Sequence, residues 1–487
     1  MNSHEERPSP LRVIDSRFVL PNLPESVELF GCPREWRLGF ETAGTAIVGP
    51  DSPQPSVAVA YGADSAGAAL SSGADQVIAV GSEAVSAVTR SGWPFQRYLA
   101  VPNVSEAEYL VPSDQRSVLA YFADHVRVPP RRRSHLRNRG AVRLLPAGAL
   151  ARIGRWEQMA VAAQGPILPE ACAGAAALVG RAIGGWFVSL GKGPPDGRVV
   201  FTLFEPGAPE PVAVSKVRRL ADMGPVRNDV QSRGQIDLLR QRLGDRVPSV
   251  LGAFDLGNGS RADVEEAAVG TPLIAYLSGP FSATKKWAAI DAVAKWLLEL
   301  SRPDARAGRG VTEGEERNVR NFRGHLPDSI VEKLARVPRV LEHGDLWSAN
   351  VIYSRPGRFS VIDWDYLSFS GLALRDLVGF LGEASSRVDG AVSVQEADVH
   401  FVGVFSGSHP SSVRVLTWIR RAVSVLGVNP LDAGALIGFG LADLAQRRRE
   451  EADQPAASVA FAEAVEPSIR RAKLWFATPG LGYSWHL

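Results

Sequence analysis

The chain has 487 residues, a length that favours more than one domain. Hydrophobic residues make up 45% and charged residues 22%, which is typical of a globular protein with a large buried core. A formal net charge of +2 gives no electrostatic reason to expect a nucleic acid or a membrane surface as a partner. Only Cys32 and Cys172 are present, which excludes a disulfide framework and a cysteine-rich zinc site. We expect both thiols to be buried as small hydrophobic groups.

The N-terminal segment is polar and charged and does not resemble a signal peptide. No apolar run reaches the ~18 residues that a membrane span needs. The closest candidate, Ala433 to Leu444, contains Asp443 and is expected to form a buried core helix. The sequence therefore predicts a cytoplasmic protein with no membrane partner.

Residues 1–133 alternate short apolar runs with helical stretches. Strands are predicted at Ser56 to Tyr61, Gln76 to Val80 and Arg97 to Val101, with helical segments between them. This alternation indicates a parallel α/β sheet, and the domain resembles a Rossmann-like fold. The loop from Gly62 to Gly67 lacks the G-x-G-x-x-G spacing that brings a pyrophosphate to a helix N-terminus. We expect a structural or partner-binding role for this domain rather than a catalytic one.

Two arginine clusters interrupt the pattern. Pro129 to Gly140 contains two prolines and five arginines, which disfavour a helix and repel one another. Residues 134–145 are therefore predicted to be a basic linker. A phosphate- or nucleic-acid-binding arm is the alternative, although no aromatic side chains are interleaved to stack on bases. The second cluster, Arg447 to Arg449, is expected to be the solvated face of a helix.

The pattern changes after the linker. Three β-type runs, Trp186 to Leu190, Arg198 to Phe204 and Val212 to Val217, are separated by segments rich in Gly and Pro. Turn residues between strands of this length predict an antiparallel meander. From about Lys285 onward, apolar residues recur at helical spacing, so the rest of the chain is predicted to be mostly helical.

The clearest chemical signal is a pair of short apolar runs with polar residues at their ends. Asp345 and Asn350 lie five residues apart just before the first run, and the second run leads to Asp363. This order predicts a loop followed by a hairpin that delivers the carboxylate of Asp363 beside the loop. Phosphoryl transfer needs such a set, because one Asp accepts the hydroxyl proton while an Asn and a second Asp hold Mg²⁺ against nucleotide phosphates.

At these residues the sequence resembles the aminoglycoside phosphotransferase and choline kinase family, which shares the protein-kinase fold. The family's H-G-D-x-x-x-x-N loop is matched by His343, Gly344, Asp345 and Asn350. Its I-D-W-[DE] segment is matched at 362–365, and its G-x-x-x-x-D-L segment at 371–377, where Asp376 is expected to support the loop. The resemblance covers roughly residues 150–385.

The resemblance implies an α+β bilobal protein-kinase-like fold, with an N-lobe at 146–270 and a mostly helical C-lobe at 271–487. It implies ATP or GTP as co-substrate and Mg²⁺ as cofactor. The implied catalytic base is Asp345, and the implied metal ligands are Asn350 and Asp363. The implied nucleotide contacts are Lys216, Gly191, Gly193, Glu266 and Ala268. Taken alone, Lys216 also fits an exposed strand edge, and the two glycines also fit a plain hairpin turn. The segment around Glu266 also fits an acidic loop.

The sequence departs from the family at one position. A helix after Lys216 should present a glutamate to that lysine, but Gln235 occupies the aligned position and Asp237 is the nearest acid. The main hypothesis is a kinase that phosphorylates a hydroxyl of a small molecule such as an aminoglycoside, another sugar or an amino alcohol. The alternative is a catalytically weak pseudokinase that binds nucleotide and acts as a scaffold for the N-terminal domain. His400 and His409 form no metal-ligand spacing. The oligomeric state and the acceptor cannot be read from the sequence.

Overall fold

The protein is described from a computed structural model over residues 19–20, 24–42, 45–49, 55–104, 107–126, 140–142, 144–154, 156–190, 198–218, 231–257, 259–302, 308–391, 393–452 and 459–478. The chain divides into two compact units. The first contains residues 1–124, 136–226 and 248–268. The second contains residues 125–135, 227–247 and 269–487.

Twelve of the described strands form one sheet in the first unit. They are β1 (Ser26–Phe30), β2 (Ala46–Ile47), β3 (Val57–Tyr61), β4 (Gln76–Val80), β5 (Phe95–Val101), β6 (Tyr109–Pro112), β7 (Glu157–Ala163), β8 (Gly185–Ser189), β9 (Arg198–Phe204), β10 (Ala213–Arg218), β11 (Val250–Asp255) and β12 (Arg261–Glu266). Their order across the sheet is β11-β12-β10-β9-β8-β6-β5-β7-β4-β3-β1-β2.

The predicted strands form, but the predicted parallel sheet is only partly correct. Strands β2, β1, β3 and β4 are parallel neighbours. Strand β7 then inserts between β4 and β5 and runs antiparallel to both. The predicted meander is confirmed, because β8, β9 and β10 pair in antiparallel order. The fold is therefore a mixed α/β structure with a large mixed sheet.

Helices of the first unit pack against the sheet, and side chains of one strand enter two separate cores. The helices of the first unit are α1 (Arg34–Thr42), α2 (Ala63–Ser71), α3 (Ser82–Arg90), α4 (Arg116–Tyr121), α5 (Ala147–Gly154) and α6 (Glu170–Val179). Ala58 and Ala60 of β3 share a core with Ala66 and Ala69 of α2. The intervening Val57 and Val59 belong to a separate core that extends to β8 and β9. Successive residues of a strand point to opposite faces, so both faces of β3 are buried.

The predicted boundary between residues 1–133 and an N-lobe at 146–270 does not coincide with a boundary in the structure. Strand β6 pairs with β8, and Leu110 lies opposite Val188. The indole Nε1 of Trp186 donates to the Tyr98 hydroxyl at 3.1 Å in the buried core. Pairing satisfies the backbone groups that both strands would otherwise leave at open edges. The two predicted domains thus share one sheet.

The predicted linker is only partly described. Residues 127–139, which include most of the arginine-rich stretch, lie outside the described residues. Arg116 of α4 donates through Nη1 to the backbone oxygens of Val142 and Leu145, at 2.8 and 2.6 Å. The end of the predicted linker is therefore held against the first unit.

The second unit is mostly helical, as predicted. Its strands are β13 (Thr271–Pro272), β14 (Arg339–Glu342), β15 (Val351–Arg355), β16 (Arg358–Val361) and β17 (Ser368–Leu372). Its helices are α7 (Gln231–Leu243), α8 (Leu273–Ser278), α9 (Ala283–Leu300), α10 (Glu313–Arg323), α11 (Asp328–Leu334), α12 (Arg375–Val388), α13 (Val394–Ser406), α14 (Ser412–Leu426), α15 (Pro430–Ala452) and α16 (Val459–Ala477). Helix α7, predicted as part of the N-lobe, groups with this unit.

Helices α14 and α15 follow one another in the chain and each carries a largely buried apolar side. Within the described ranges, no single helix is long and apolar enough to cross a membrane, and these two meet the test only as a pair bent by 119°. Leu436, Phe439 and Asp443 of α15 are almost completely buried. The buried core helix predicted at 433–444 is therefore present.

Candidate active site

The loop after β14 is held by a carboxylate from the first turn of α12. Asp376 accepts hydrogen bonds from the backbone N–H groups of His343 and Gly344, at 2.6 and 3.1 Å. Gly344 has a φ of +82°, and a Cβ built on it would lie 2.6 Å from the backbone oxygen of Tyr366. Glycine is therefore required by both backbone conformation and space. Asp376 supports the loop in the way that the sequence predicts.

His343 ties the same loop to the hairpin that follows. Its Nδ1 faces the backbone N–H of Asp345 at 3.3 Å, and its Nε2 faces the backbone oxygen of Ile362 at 2.9 Å. A neutral imidazole with its proton on Nε2 satisfies both contacts. Burial lowers the pKa of His343, which also favours the neutral ring. His343 is thus a structural brace that fixes the backbone of Asp345.

The hairpin brings Asn350 and Asp363 to the same end of two paired strands. Val351 of β15 lies opposite Val361 of β16, and the Ile362 N–H donates to the backbone oxygen of Asn350 at 3.0 Å. Asn350 Nδ2 in turn donates to the backbone oxygen of Asp345 at 2.9 Å. Asp363 has φ 61° and ψ 57°, a left-handed conformation that aspartate adopts more readily than most residues. The three predicted residues Asp345, Asn350 and Asp363 are therefore neighbours.

Arg448 of α15 neutralises the carboxylate of Asp345. One Nη group forms a salt bridge to Asp345 Oδ1, and the other lies 3.1 Å from the Tyr366 hydroxyl. The guanidinium also lies 4.7 Å from the centre of the Tyr366 ring. Burial raises the pKa of Asp345, whereas the charge of Arg448 lowers it. The solvated helix face predicted for 447–449 is wrong at Arg448, whose side chain is only 13% exposed.

A buried network of charges lies behind the loop. The Arg375 guanidinium contacts Glu342 of β14 and Asp443 of α15, with 2.6 Å between Nη1 and the Asp443 carboxylate. Arg447 Nη2 also lies 2.8 Å from Asp443. Burial raises the pKa of Glu342 to about 7, although the charge of Arg375 acts in the opposite direction. Such networks are weak evidence for net stability, but they fix geometry, here the strand that leads into His343.

The predicted nucleotide lysine has an acidic partner on a neighbouring strand. Lys216 of β10 is buried, and its Nζ lies 3.0 Å from Glu265 Oε1 on β12. Strands β10 and β12 are paired, so the two side chains come from adjacent backbones. Gln235 lies on α7. Lys216 therefore has a glutamate partner on the sheet, although Gln235 stands at the aligned helix position.

The predicted connector is the last of the places where the chain passes from the first unit to the second. Glu266 ends β12, and the unit boundary falls between Ala268 and Val269. The Ala267 N–H donates to the backbone oxygen of Val212 at 3.1 Å. Gly270 has a φ of +148°, and a Cβ there would lie 2.7 Å from the backbone oxygen of Tyr353. Gly191 and Gly193 lie outside the described residues.

A cavity of about 430 Å³ in the second unit reaches Asp345. Helices α12, α13, α15 and α16 supply most of its wall. Its charged and aromatic lining includes Asp345, Trp347, Glu383, Asp398, Arg448 and Arg471. This volume is in the range of pockets that hold small molecules.

The histidines that show no ligand spacing in the sequence do meet in space. His400 Nε2 lies 2.8 Å from Asp389 Oδ2, and His409 Nδ1 lies 3.8 Å from the same atom. The three side chains could each offer one ligand atom to a metal ion. Ser411 Oγ also donates to Asp389 at 2.6 Å, so hydrogen bonds already account for the cluster. It joins the end of α12 to α13 and α14, and the residue spacing could not reveal it.

Part of the chain that carries this site is similar to a known protein family. Residues 282–403 match the family model described as the phosphotransferase enzyme family. The resemblance predicted from the motifs is confirmed over this part of the chain, which contains His343, Asp345, Asn350, Asp363 and Asp376. No curated protein matches the chain.

Solved structures of small-molecule kinases are similar to part of the chain. A thermostable mutant of the aminoglycoside phosphotransferase APH(4)-Ia is 14% identical, with 61% of this chain and 96% of that chain covered and a TM-score of 0.36. Choline kinase LicA from Streptococcus pneumoniae is 17% identical, with 56% and 89% covered and a TM-score of 0.28. An ethanolamine kinase from Plasmodium vivax is 12% identical, with 61% and 82% covered and a TM-score of 0.36. At TM-scores this low, no role or substrate transfers from these proteins to this chain.

Proposed function

We propose that the chain is a kinase that transfers the γ-phosphate of ATP, or of GTP, to a hydroxyl group of a small molecule. The proposal rests above all on the convergence of Asp345, Asn350 and Asp363, inside a segment that matches a phosphotransferase family model. A protein-kinase-like arrangement of residues 146–487 is part of the proposal. The cytoplasmic location, the acceptor class and the lack of a nucleic-acid partner stay predictions.

In the proposed reaction Asp345 orients the acceptor hydroxyl and accepts its proton. The brace made by His343 and the contact with Asn350 hold the backbone of Asp345 in place. Arg448 binds Oδ1 of Asp345, so Oδ2 is the oxygen proposed to face the acceptor hydroxyl. Lys216, oriented by Glu265, is proposed to bind nucleotide phosphate. Backbone groups of Glu266 to Ala268 are proposed to bind the base.

The residues fit Mg²⁺ by their donor atoms. Asn350 uses its Nδ2 on a backbone oxygen, so the amide oxygen is the atom that it offers to a metal. Asp363 offers a carboxylate beside it, and both are hard oxygen ligands of the kind that Mg²⁺ prefers. When bound, the ion would neutralise charge on the nucleotide phosphates.

We propose the catalytic alternative over the pseudokinase. Its motive was the missing helix glutamate at Gln235. Glu265 pairs with Lys216 at 3.0 Å, which gives the lysine an acidic partner without a glutamate at that position. We therefore favour a catalytically competent kinase.

Asp363→Ala is expected to weaken Mg²⁺-dependent ATP binding. Removal of a metal ligand should cost at least the roughly 10-fold loss that even outer-sphere partners of a metal produce. Calorimetry of the full chain with ATP, with and without Mg²⁺, measures this directly. Asp328→Ala, at a carboxylate whose side chain is 91% exposed, is the control and should bind like the unaltered protein. Equal Mg²⁺ dependence in Asp363→Ala and the unaltered chain would remove the metal role and with it the proposed reaction.

Arg448→Gln is expected to move the acidic limb of the pH–rate profile to higher pH. The charge of Arg448 lowers the pKa of Asp345, so its removal raises that pKa. The proposed base works only when ionised, so activity is then lost at a higher pH than in the unaltered protein. The rate of ADP formation against pH measures the limb, with Arg449→Gln as the neighbouring control. A limb that stays in place would show that Arg448 does not act on the base.

A further inference from the structure

We infer that the acceptor carries an anionic group, a carboxylate or a phosphate, and that Arg471 binds this group in the cavity next to Asp345. The inference rests on the proposed kinase function and adds the class of its substrate. It rests on which charged side chains of the cavity wall already have partners and which do not.

The carboxylates of the wall already have partners. Asp376 accepts from two backbone N–H groups. Glu383 accepts from the Ser348 N–H at 3.2 Å and from Arg387 Nε at 3.0 Å. Asp398 forms a salt bridge with Arg470. A cationic acceptor, such as an amine, would have to share these carboxylates with the groups that they already bind, so the wall offers it less than an unpartnered carboxylate would.

The arginines of the wall differ from one another. Arg375 places its guanidinium nitrogens on Glu342 and Asp443. Arg387 and Arg448 each contact a carboxylate. Arg471 of α16 stands apart, because within the described ranges neither a hydrogen-bond acceptor nor a carboxylate is within bonding distance of it. Its one described contact places the guanidinium 5.8 Å from the centre of the Phe401 ring.

Arg471 is half-buried, and a guanidinium in that position without such partners gains when a ligand supplies them. Burial lowers the pKa of Arg471, although Glu383 and Asp398 act in the opposite direction. A guanidinium offers five N–H donors in a planar fork that matches carboxylate and phosphate. An anion that enters the cavity would therefore gain charge-assisted hydrogen bonds from this guanidinium. Since Asp345 and Arg471 line the same 430 Å³ cavity, one small molecule can reach both.

The reaction then follows for a hydroxylated anion. The acceptor hydroxyl oxygen forms a bond to the γ-phosphorus of ATP, and the bond between that phosphorus and the β,γ-bridging oxygen breaks. The hydroxyl proton passes to Asp345, and ADP leaves with the bridging oxygen. The product is a phosphate ester that keeps its original anionic group on Arg471.

The test compares acceptors that differ in charge, using the full chain with ATP and Mg²⁺. The probes are 3-hydroxybutyrate and glycerol 3-phosphate as anions, 1,3-butanediol and glycerol as their neutral counterparts, and choline as a cation. ADP release and mass spectrometry of the product report turnover. We expect higher kcat/KM for the anions than for their neutral counterparts and none for choline. The better of the two anions distinguishes a carboxylate from a phosphate.

Variants of Arg471 test the assigned residue. Arg471→Gln should raise the KM of the anionic probes roughly 10- to 100-fold, the scale of a lost charge-assisted contact, and should leave the neutral probes less affected. Arg471→Lys keeps the charge and should recover part of the loss. Lys473→Gln removes one charge from the exposed side of the same helix and should behave like the unaltered chain. Thermal melting of each variant separates a binding defect from misfolding.

Several outcomes would overturn the inference. One is preferred turnover of choline or of the neutral probes, and another is equal KM values in Arg471→Gln and the unaltered chain. A third is that neither anion is turned over or binds, when each is titrated calorimetrically into the chain with ADP and Mg²⁺. A different result would contradict the proposed kinase function itself, namely that the unaltered protein shows no Mg²⁺-dependent ATP binding.

Discussion

Replacement of Asp345 by asparagine is expected to lower phosphoryl transfer roughly 10²- to 10⁴-fold, the usual contribution of a general base. The side chains have nearly the same size, and the contact from Asn350 Nδ2 goes to the backbone oxygen of residue 345, so the loop should keep its shape. The substitution removes the proton acceptor, and it also removes the negative charge that pairs with Arg448. Nucleotide affinity should change little, because the nucleotide contacts proposed above do not include this carboxylate.

The measurement is the initial rate of ADP formation with an acceptor that the unaltered chain phosphorylates, together with calorimetry for ATP and Mg²⁺. Asp328→Asn makes the same chemical change at a side chain that is 91% exposed and should keep full activity. If Asp345→Asn retained the rate of the unaltered protein, another group would have to accept the proton. Arg448→Gln would then lose its predicted effect on the pH profile as well.

The local part of the site could be predicted from the sequence because its residues lie close together in the chain. The loop at Asp345 and Asn350 and the strand before Asp363 are set by a few adjacent apolar and turn residues. Arg448 could not be found in this way, since it lies 103 residues from Asp345 and within three consecutive arginines. Only the packing of α15 distinguishes it from its neighbours. Burial, rather than local pattern, decides which of such arginines acts on a carboxylate.

The same distinction applies to the fold. The runs at 57–61 and 76–80 form strands because their apolar residues are buried on both faces. Their alternation with helices gave the parallel part of the sheet. Nothing local specifies that β7, which follows β6 in the chain, lies between β4 and β5. A strand's partner is chosen by edges that must be paired and faces that must be buried, and these are properties of the whole sheet.

A chain that begins at Gly140 is expected to lose the cooperative fold of the first unit. Such a fragment keeps β7 but removes β4 and β5, the two strands that pair with it. It also opens the edge of β8 and removes Tyr98, whose hydroxyl accepts from Trp186. The core that joins β3, β4 and β5 to β8 and β9 would then face water. Exposed apolar surface and an unpaired strand edge together favour aggregation.

Soluble yield, thermal melting and shift of the melt by ATP and Mg²⁺ test this expectation. A fragment that melts cooperatively and responds to nucleotide would show that residues 140–487 fold alone and that the shared sheet is dispensable. Val188→Asp in the full chain tests the pairing of β6 with β8 without a deletion, because Val188 is fully buried opposite Leu110. An unpaired charge there should cost about 3 kcal/mol or more. Val399→Asp, at a side chain that is 70% exposed, should change stability by only about 0.5 kcal/mol.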